Sequence, residues 1–285
     1  MKSTTKIWLG VGLFVTGTAS ALPQGTAPAA TSAVRHDRGL RGDALREPAN
    51  AHWMLAQHSV PAGGEAGEAG VPADLPPDFQ FALTLALIRG HLLVGDELVK
   101  AGQWDAAMPH FLHPTEEIYD DIKVQLDDYN LPQFDGALKA LADAVKGKRA
   151  DYAIRLKAVN DALAAVDANM KANLDNWAGF VVEAAVEALK AATGEYQLAI
   201  VNGRIAKPVE YQDARGFIWQ AQRMIDGVAP NLQKKDPAAL GAVRTGLAEL
   251  KKAFPSAVPP KLPVKDHAAV LADVARIEVA AGKLM

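Results

Sequence analysis

The chain has 285 residues, no cysteine, and 30 Lys+Arg against 33 Asp+Glu, a formal net charge of −3. Without cysteine it can build no disulfide framework, no thiolate zinc or iron–sulfur site and no covalent haem attachment. The near-balanced charge, with no basic run interleaved with aromatics, excludes the usual footprint of a nucleic-acid partner.

The N-terminus carries Lys2 and Lys6, the apolar run from Ile7 to Val15, and the small residues Thr18-Ala19-Ser20-Ala21. This pattern predicts a secretory signal peptide over residues 1–21 and a periplasmic protein. The run falls short of the roughly 20 apolar residues that span a bilayer, and no later segment reaches that length, so no transmembrane segment is expected in the mature chain. Residues 22–76 are rich in Ala, Gly, Pro and Ser, and such a composition does not bury enough apolar area to offset ordering entropy. They read as a flexible segment with one short helix around Ala51-His52-Trp53-Met54-Leu55.

Pro76-Pro77 suits a helix start, and the stretch from Phe79 to Lys100 is apolar on most sides. Leu83, Leu87, Val94 and Leu98 make one stripe, and Leu85, Ile88, Leu92 and Val99 a neighbouring one, which predicts a buried central helix. Gly102 stops it. A second helix is expected from Trp104 to Leu112, bent at Pro109. Pro114 then restarts a helix with His113 at the cap and Glu116 and Glu117 in the first turn. Leu131-Pro132 breaks that helix, and another runs from about Gln133 to Lys146.

The second half reads as helices over Asp151–Ala172 and Leu174–Val201, a stop at Asn202-Gly203, and a helix from Glu210 to about Gly227 broken by Pro230. One more starts at Asp236-Pro237, and a last one runs from Asp266 to Leu284. The tracts Phe134–Ala142 and Ala239–Ala248 are closely similar, which suggests an internal duplication of an antiparallel helix unit. The expected fold is all-α: antiparallel helix bundles, or tetratricopeptide-like helix pairs, with negligible strand. Two helical units are expected, at 77–149 and 150–285, the second packed on the first.

The densest polar cluster lies in the first hairpin, where His91 shares the inward stripe of its helix. Gly102 is eleven residues from both His91 and His113, so an antiparallel return brings the two imidazoles to similar heights. His110, His113 and Glu117 have i, i+3, i+7 spacing on one helical face. Imidazole with carboxylate suits iron, copper or zinc, and the metal candidates are therefore His91, Glu97, His110, His113 and Glu117. The bland reading is a buried histidine bonded to a carbonyl beside a well-capped helix start. In the second half, Glu195, Glu210 and Asp213 form either an oxygen-ligand site or part of an exposed helix-turn-helix in which Arg215 pairs with a carboxylate. The aromatic residues Trp104, Phe111, Trp177, Phe180, Phe217 and Trp219 are either ordinary core or the lining of a gap for an apolar molecule.

The run Glu195-Tyr196-x-x-Ala199-Ile200-x-x-Gly203-x-Ile205, followed by Glu210-Tyr211-x-Asp213-x-x-x-Phe217, resembles the periplasmic helical segments of bacterial high-affinity iron permeases. The exported all-helical pattern with Gly90-His91 on an early helix is similar to imelysin-like metal-uptake proteins. Their motif is Gly-x-His-x-x-Glu; here Gly90 directly precedes His91 and position 94 is Val94, so His91 alone carries over. The resemblance implies a periplasmic metal-uptake role.

No Gly-x-Ser-x-Gly elbow, phosphate-binding glycine loop, His-Glu-x-x-His or cysteine nucleophile is present. The expectation is a binding protein rather than an enzyme: one that takes a transition metal, iron or copper, and serves an envelope transporter or other membrane partner. The alternatives are a carrier of an apolar small molecule (lipid, sterol or haem-like) and a structural or docking module, for which Ala101-Gly102-Gln103-Trp104-Asp105-Ala106-Ala107 is suited.

Overall fold

The computed structural model describes residues 71–72 and 74–285. The signal peptide at 1–21, nearly all of the 22–76 segment and its short helix lie outside the described residues. The order is α1 (Pro77–Lys100), α2 (Trp104–Ala107), α3 (Pro109–His113), a π-helical turn (Pro114–Ile118), a 3₁₀ turn (Tyr119–Ile122), α4 (Lys123–Asp128), α5 (Asp135–Lys146), α6 (Tyr152–Asn173) and α7 (Trp177–Ala199). After these come β1 (Ile200–Val201), β2 (Arg204–Ile205), α8 (Pro208–Lys235), α9 (Pro237–Lys251) and α10 (His267–Ala281). All described residues belong to one compact unit, and the architecture is all-α apart from one minimal hairpin.

Helix α1 is buried on nearly all sides because its two apolar stripes feed two different cores. Leu83, Ala86 and Leu87 pack with α7, α8, α9 and α10. Phe81, Leu85, Ile88, Leu92, Val94, Leu98 and Val99 pack with the chain from α2 to α6. The seam between the cores runs close to the α6–α7 junction, with Phe180 of α7 and Ala257 after α9 joining the second core. In helix α6, Val159, Leu163, Val166 and Met170 share a core with Leu138, Leu141 and Val145 of α5.

Three local expectations are corrected. Pro230 does not break α8, which runs on to Lys235. The backbone group that the proline leaves without its helical partner is the carbonyl of Asp226, on an exposed stretch, while Val228 and Leu232 stay buried on either side. His113 does not cap a new helix; it has helical dihedrals and makes no capping bond, and the chain passes from α3 into the π turn. The Asn202-Gly203 stop is a β-hairpin in which Ile200 pairs with Ile205 and Val201 with Arg204. Its two turn residues have φ of 52° and 73°, as a type I′ turn requires. This tight turn folds α8 straight back on α7.

Asp236 and Asp266 accept from the backbone N–H of Ala239 and Ala269 and so cap α9 and α10. Among the described residues no helix is long and apolar enough to cross a membrane.

Candidate metal centre

Two glycine slots on α1 set the site. A Cβ placed on Gly216 would lie 2.2 Å from the Gly90 carbonyl oxygen, and one on Gly90 would lie 2.4 Å from Phe217 Cδ1. The backbones of α1 and α8 thus touch where both lack a side chain. One turn of α1 further on, a Cβ on Gly95 would lie 2.7 Å from the Phe111 ring and 3.2 Å from His110 Cβ, so α3 also lies close against α1. The residues beside these slots, His91, His110 and Asp213, are driven together.

His91 Nδ1 is 2.7 Å and His110 Nδ1 2.8 Å from the same oxygen, Asp213 Oδ1. His91 and His110 are fully buried. His113 Nδ1 stands 4.0 Å from Asp213 Oδ2, and its side chain is 19 % exposed, which puts it on the solvent side of the cluster. The rings of His91 and His113 meet edge to face with centroids 5.4 Å apart, and Phe217 closes the other side of His91 at 5.0 Å. Burial alone would raise the Asp213 carboxyl, but the two imidazoles outweigh it and hold the group well below the usual carboxylate range.

Around this cluster, the side chains of α8 bind the loop that follows α9. Tyr211 donates to the Ser256 carbonyl at 3.2 Å, Gln212 Nε2 to the Ala257 carbonyl at 3.1 Å, and Arg215 Nη1 to the Phe254 carbonyl. Gln212 Oε1 faces His110 Nε2 at 2.9 Å. Arg215 also grips Glu97 with two bonds, Nε at 3.0 Å and Nη2 at 2.8 Å, and lies over the Trp219 ring at 3.8 Å.

Of the five metal candidates, the structure brings His91 and His110 together with His113 beside them. Glu97 is not with them: six residues after His91 on α1, it points about 120° away around the helix and is committed to Arg215. Glu117 is exposed on the π turn. The carboxylate of the cluster is Asp213 instead, which the sequence reading had placed with Glu195 and Glu210. Glu210 pairs with Lys207 at 3.3 Å, and Arg215 is buried rather than exposed. The six aromatic candidates do not line one cavity. Trp177 and Phe180 border a cleft of about 370 Å³ between α1, α6, α7 and α8, and Trp104 borders another. Phe111 and Phe217 are core, and Trp219 stacks under Arg215.

One donor atom from each of His91, His110 and Asp213 can be chosen so that all three lie within 4.8 Å of one another. Two imidazoles and one carboxylate is the donor set of non-haem iron(II) sites with open positions. In the metal-free protein the 2.7 and 2.8 Å contacts from the two Nδ1 atoms to Asp213 Oδ1 are hydrogen bonds, and an ion would replace them with bonds to the same atoms.

Residues 172–285, from the end of α6 to the C-terminus, match the model of the iron permease-associated 4-helix bundle domain. The match covers α7 to α10 and includes Gln212 and Asp213. No curated protein and no solved structure matches the chain.

Proposed function

We propose that this chain is a periplasmic iron-binding protein that works beside an iron permease, taking iron(II) as cargo at His91, His110 and Asp213 with His113 on the exchange side. The observation that carries the reading is the meeting of two buried imidazoles and a buried carboxylate, from three separate helices, on one oxygen atom. In the metal-free protein the two imidazoles offset the burial of the carboxylate; a divalent ion would take over that charge while accepting both imidazoles as ligands. The match of α7–α10 to a domain associated with iron permeases supports iron as the cargo. Copper is the runner-up, because nitrogen and oxygen sites bind copper(II) more tightly than iron(II) whatever their purpose.

The test is iron(II) titration under anaerobic conditions of the wild-type chain and of the His91→Ala, His110→Ala double variant, alongside metal analysis of untagged protein taken from the periplasm. Stoichiometric iron in the wild type and none in the double variant, with helical content unchanged, is the expected result. Equal iron binding by both would remove the site from consideration; copper alone in the extracted protein would move the assignment to copper. Sequencing of the exported protein should find Leu22 at its N-terminus.

A further inference from the structure

Resting on the reading of the cluster as a metal site, the direction of its hydrogen bonds fixes which nitrogen of His110 faces the ion. The Ala257 carbonyl can only accept. The amide edge of Gln212 that meets it must therefore be the NH₂, donating at 3.1 Å. That leaves Gln212 Oε1, an acceptor, facing His110 Nε2 at 2.9 Å. His110 Nε2 must in turn carry a proton and donate. Nδ1, 2.8 Å from the acceptor Asp213 Oδ1, also donates in the metal-free protein; an ion would displace that proton and take the Nδ1 lone pair, because Nε2 stays committed to Gln212. The reverse orientation of the amide would place carbonyl against carbonyl at Ala257.

We infer that Gln212 is a positioning residue for the metal site: anchored to the loop after α9, it commits His110 to bind the ion through Nδ1. Outer-shell partners of this kind select the tautomer and orientation of a ligating histidine, and their loss costs 10–100-fold in metal affinity. Gln212 touches no metal itself.

The experiment uses zinc(II), which is diamagnetic, and two-bond proton–nitrogen NMR correlations of the histidine rings in the full chain. In the wild type, His110 should show a coordinated Nδ1 and a protonated Nε2. Gln212→Leu, which keeps the bulk but neither bond, should weaken zinc 10–100-fold and lose the single Nε2–H signature. Gln212→Glu keeps the acceptor toward His110 while losing the donor toward Ala257, so it should retain that signature even if the fold is less stable. A purely structural Gln212 would predict the opposite pattern, with both variants losing stability and neither changing the tautomer. Zinc held by His110 through Nε2 in the wild type overturns the inference and leaves the metal site standing. Zinc that shifts neither His91 nor His110 overturns both.

Discussion

The crossing of α1 and α8 can be tested with a single methyl group. Gly216→Ala places a Cβ 2.2 Å from the Gly90 carbonyl oxygen and 2.8 Å from its carbon, both backbone atoms, where ordinary contact begins at 3.4 Å. Neither atom can swing aside, so the helices must part by roughly 1 Å. Overpacking of this kind costs about 1–3 kcal/mol, against which the better helix propensity of alanine returns about 0.8–1 kcal/mol, leaving a net loss of about 0–2 kcal/mol. The same 1 Å would open the proposed metal site, since Asp213 is one turn before Gly216 and His91 directly follows Gly90; ligand sets tolerate about 0.5 Å. Gly227→Ala is the control on the same helix, because its Cβ would meet nothing within 4 Å, and it should stabilise by about 0.5–1 kcal/mol. Urea unfolding and iron(II) titration of the two variants read both effects. If Gly216→Ala is as stable as Gly227→Ala and binds iron as the wild type does, the account of the crossing is wrong.

Glu97→Gln should destabilise by about 1–3 kcal/mol, because Glu97 is 42 % exposed but its partner Arg215 is only 8 % exposed and loses a charged, two-bond acceptor; a loss of iron affinity as large as that of Asp213→Asn would instead make Glu97 a ligand. Iron affinity should fall as pH falls, since imidazole ligands must shed their protons while Asp213, held low by its two imidazoles, stays ionised; isothermal titration at several pH values checks it, and affinity that ignored pH would point away from histidine. Burial pushes the phenols of Tyr129, Tyr196 and Tyr211 up to about 12. A raised pKa stabilises below the unfolded value of about 10 and is lost as pH rises through about 12, so alkaline unfolding should accompany phenolate formation across that window. Full ionisation by pH 10 with intact helical circular dichroism would contradict the burial.

Helices were legible wherever apolar spacing and caps coincided: Pro77 opening α1, Asp236 and Asp266 capping α9 and α10, and the inward stripe that buries His91. Asn202-Gly203 announced a hairpin as well as a stop, and only the two-residue strands hid it. Pro230 misled because the cost of a helical proline depends on whether the freed carbonyl meets water, which sequence does not state. The spacing about Gly102 pointed to His91 and His113, whose rings do meet, but the second imidazole on the shared Asp213 oxygen is that of His110, three residues earlier on the return. The carboxylate could not be read from spacing, because Asp213 is 103 residues from His110 and reaches it only through the contact of Gly90 with Gly216. The pairing of a small residue beside a polar one on each helix, Gly90-His91 and Asp213 with Gly216 a turn later, was the available signal.

The matched domain, residues 172–285, supplies Asp213 and Gln212 but neither imidazole of the cluster, both of which come from α1 and α3 outside it. The site therefore ties the matched helices to the part of the chain that precedes them, across the seam of the two cores. An ion at the proposed site would bridge three elements that unfolding separates, so it should bind the native state and not the unfolded chain. Such a ligand raises stability by about 2.7 kcal/mol at 100 times its dissociation constant, and at about 2–4 °C per kcal/mol for a domain of this size the thermal midpoint should rise by roughly 5–11 °C. Calorimetry with and without iron(II) under anaerobic conditions measures the rise, and Asp213→Asn should abolish it, because the carboxylate is the only anionic donor of the three. An equal rise in that variant would mean that iron stabilises the protein from somewhere else, and the bridge across the seam would have to be given up.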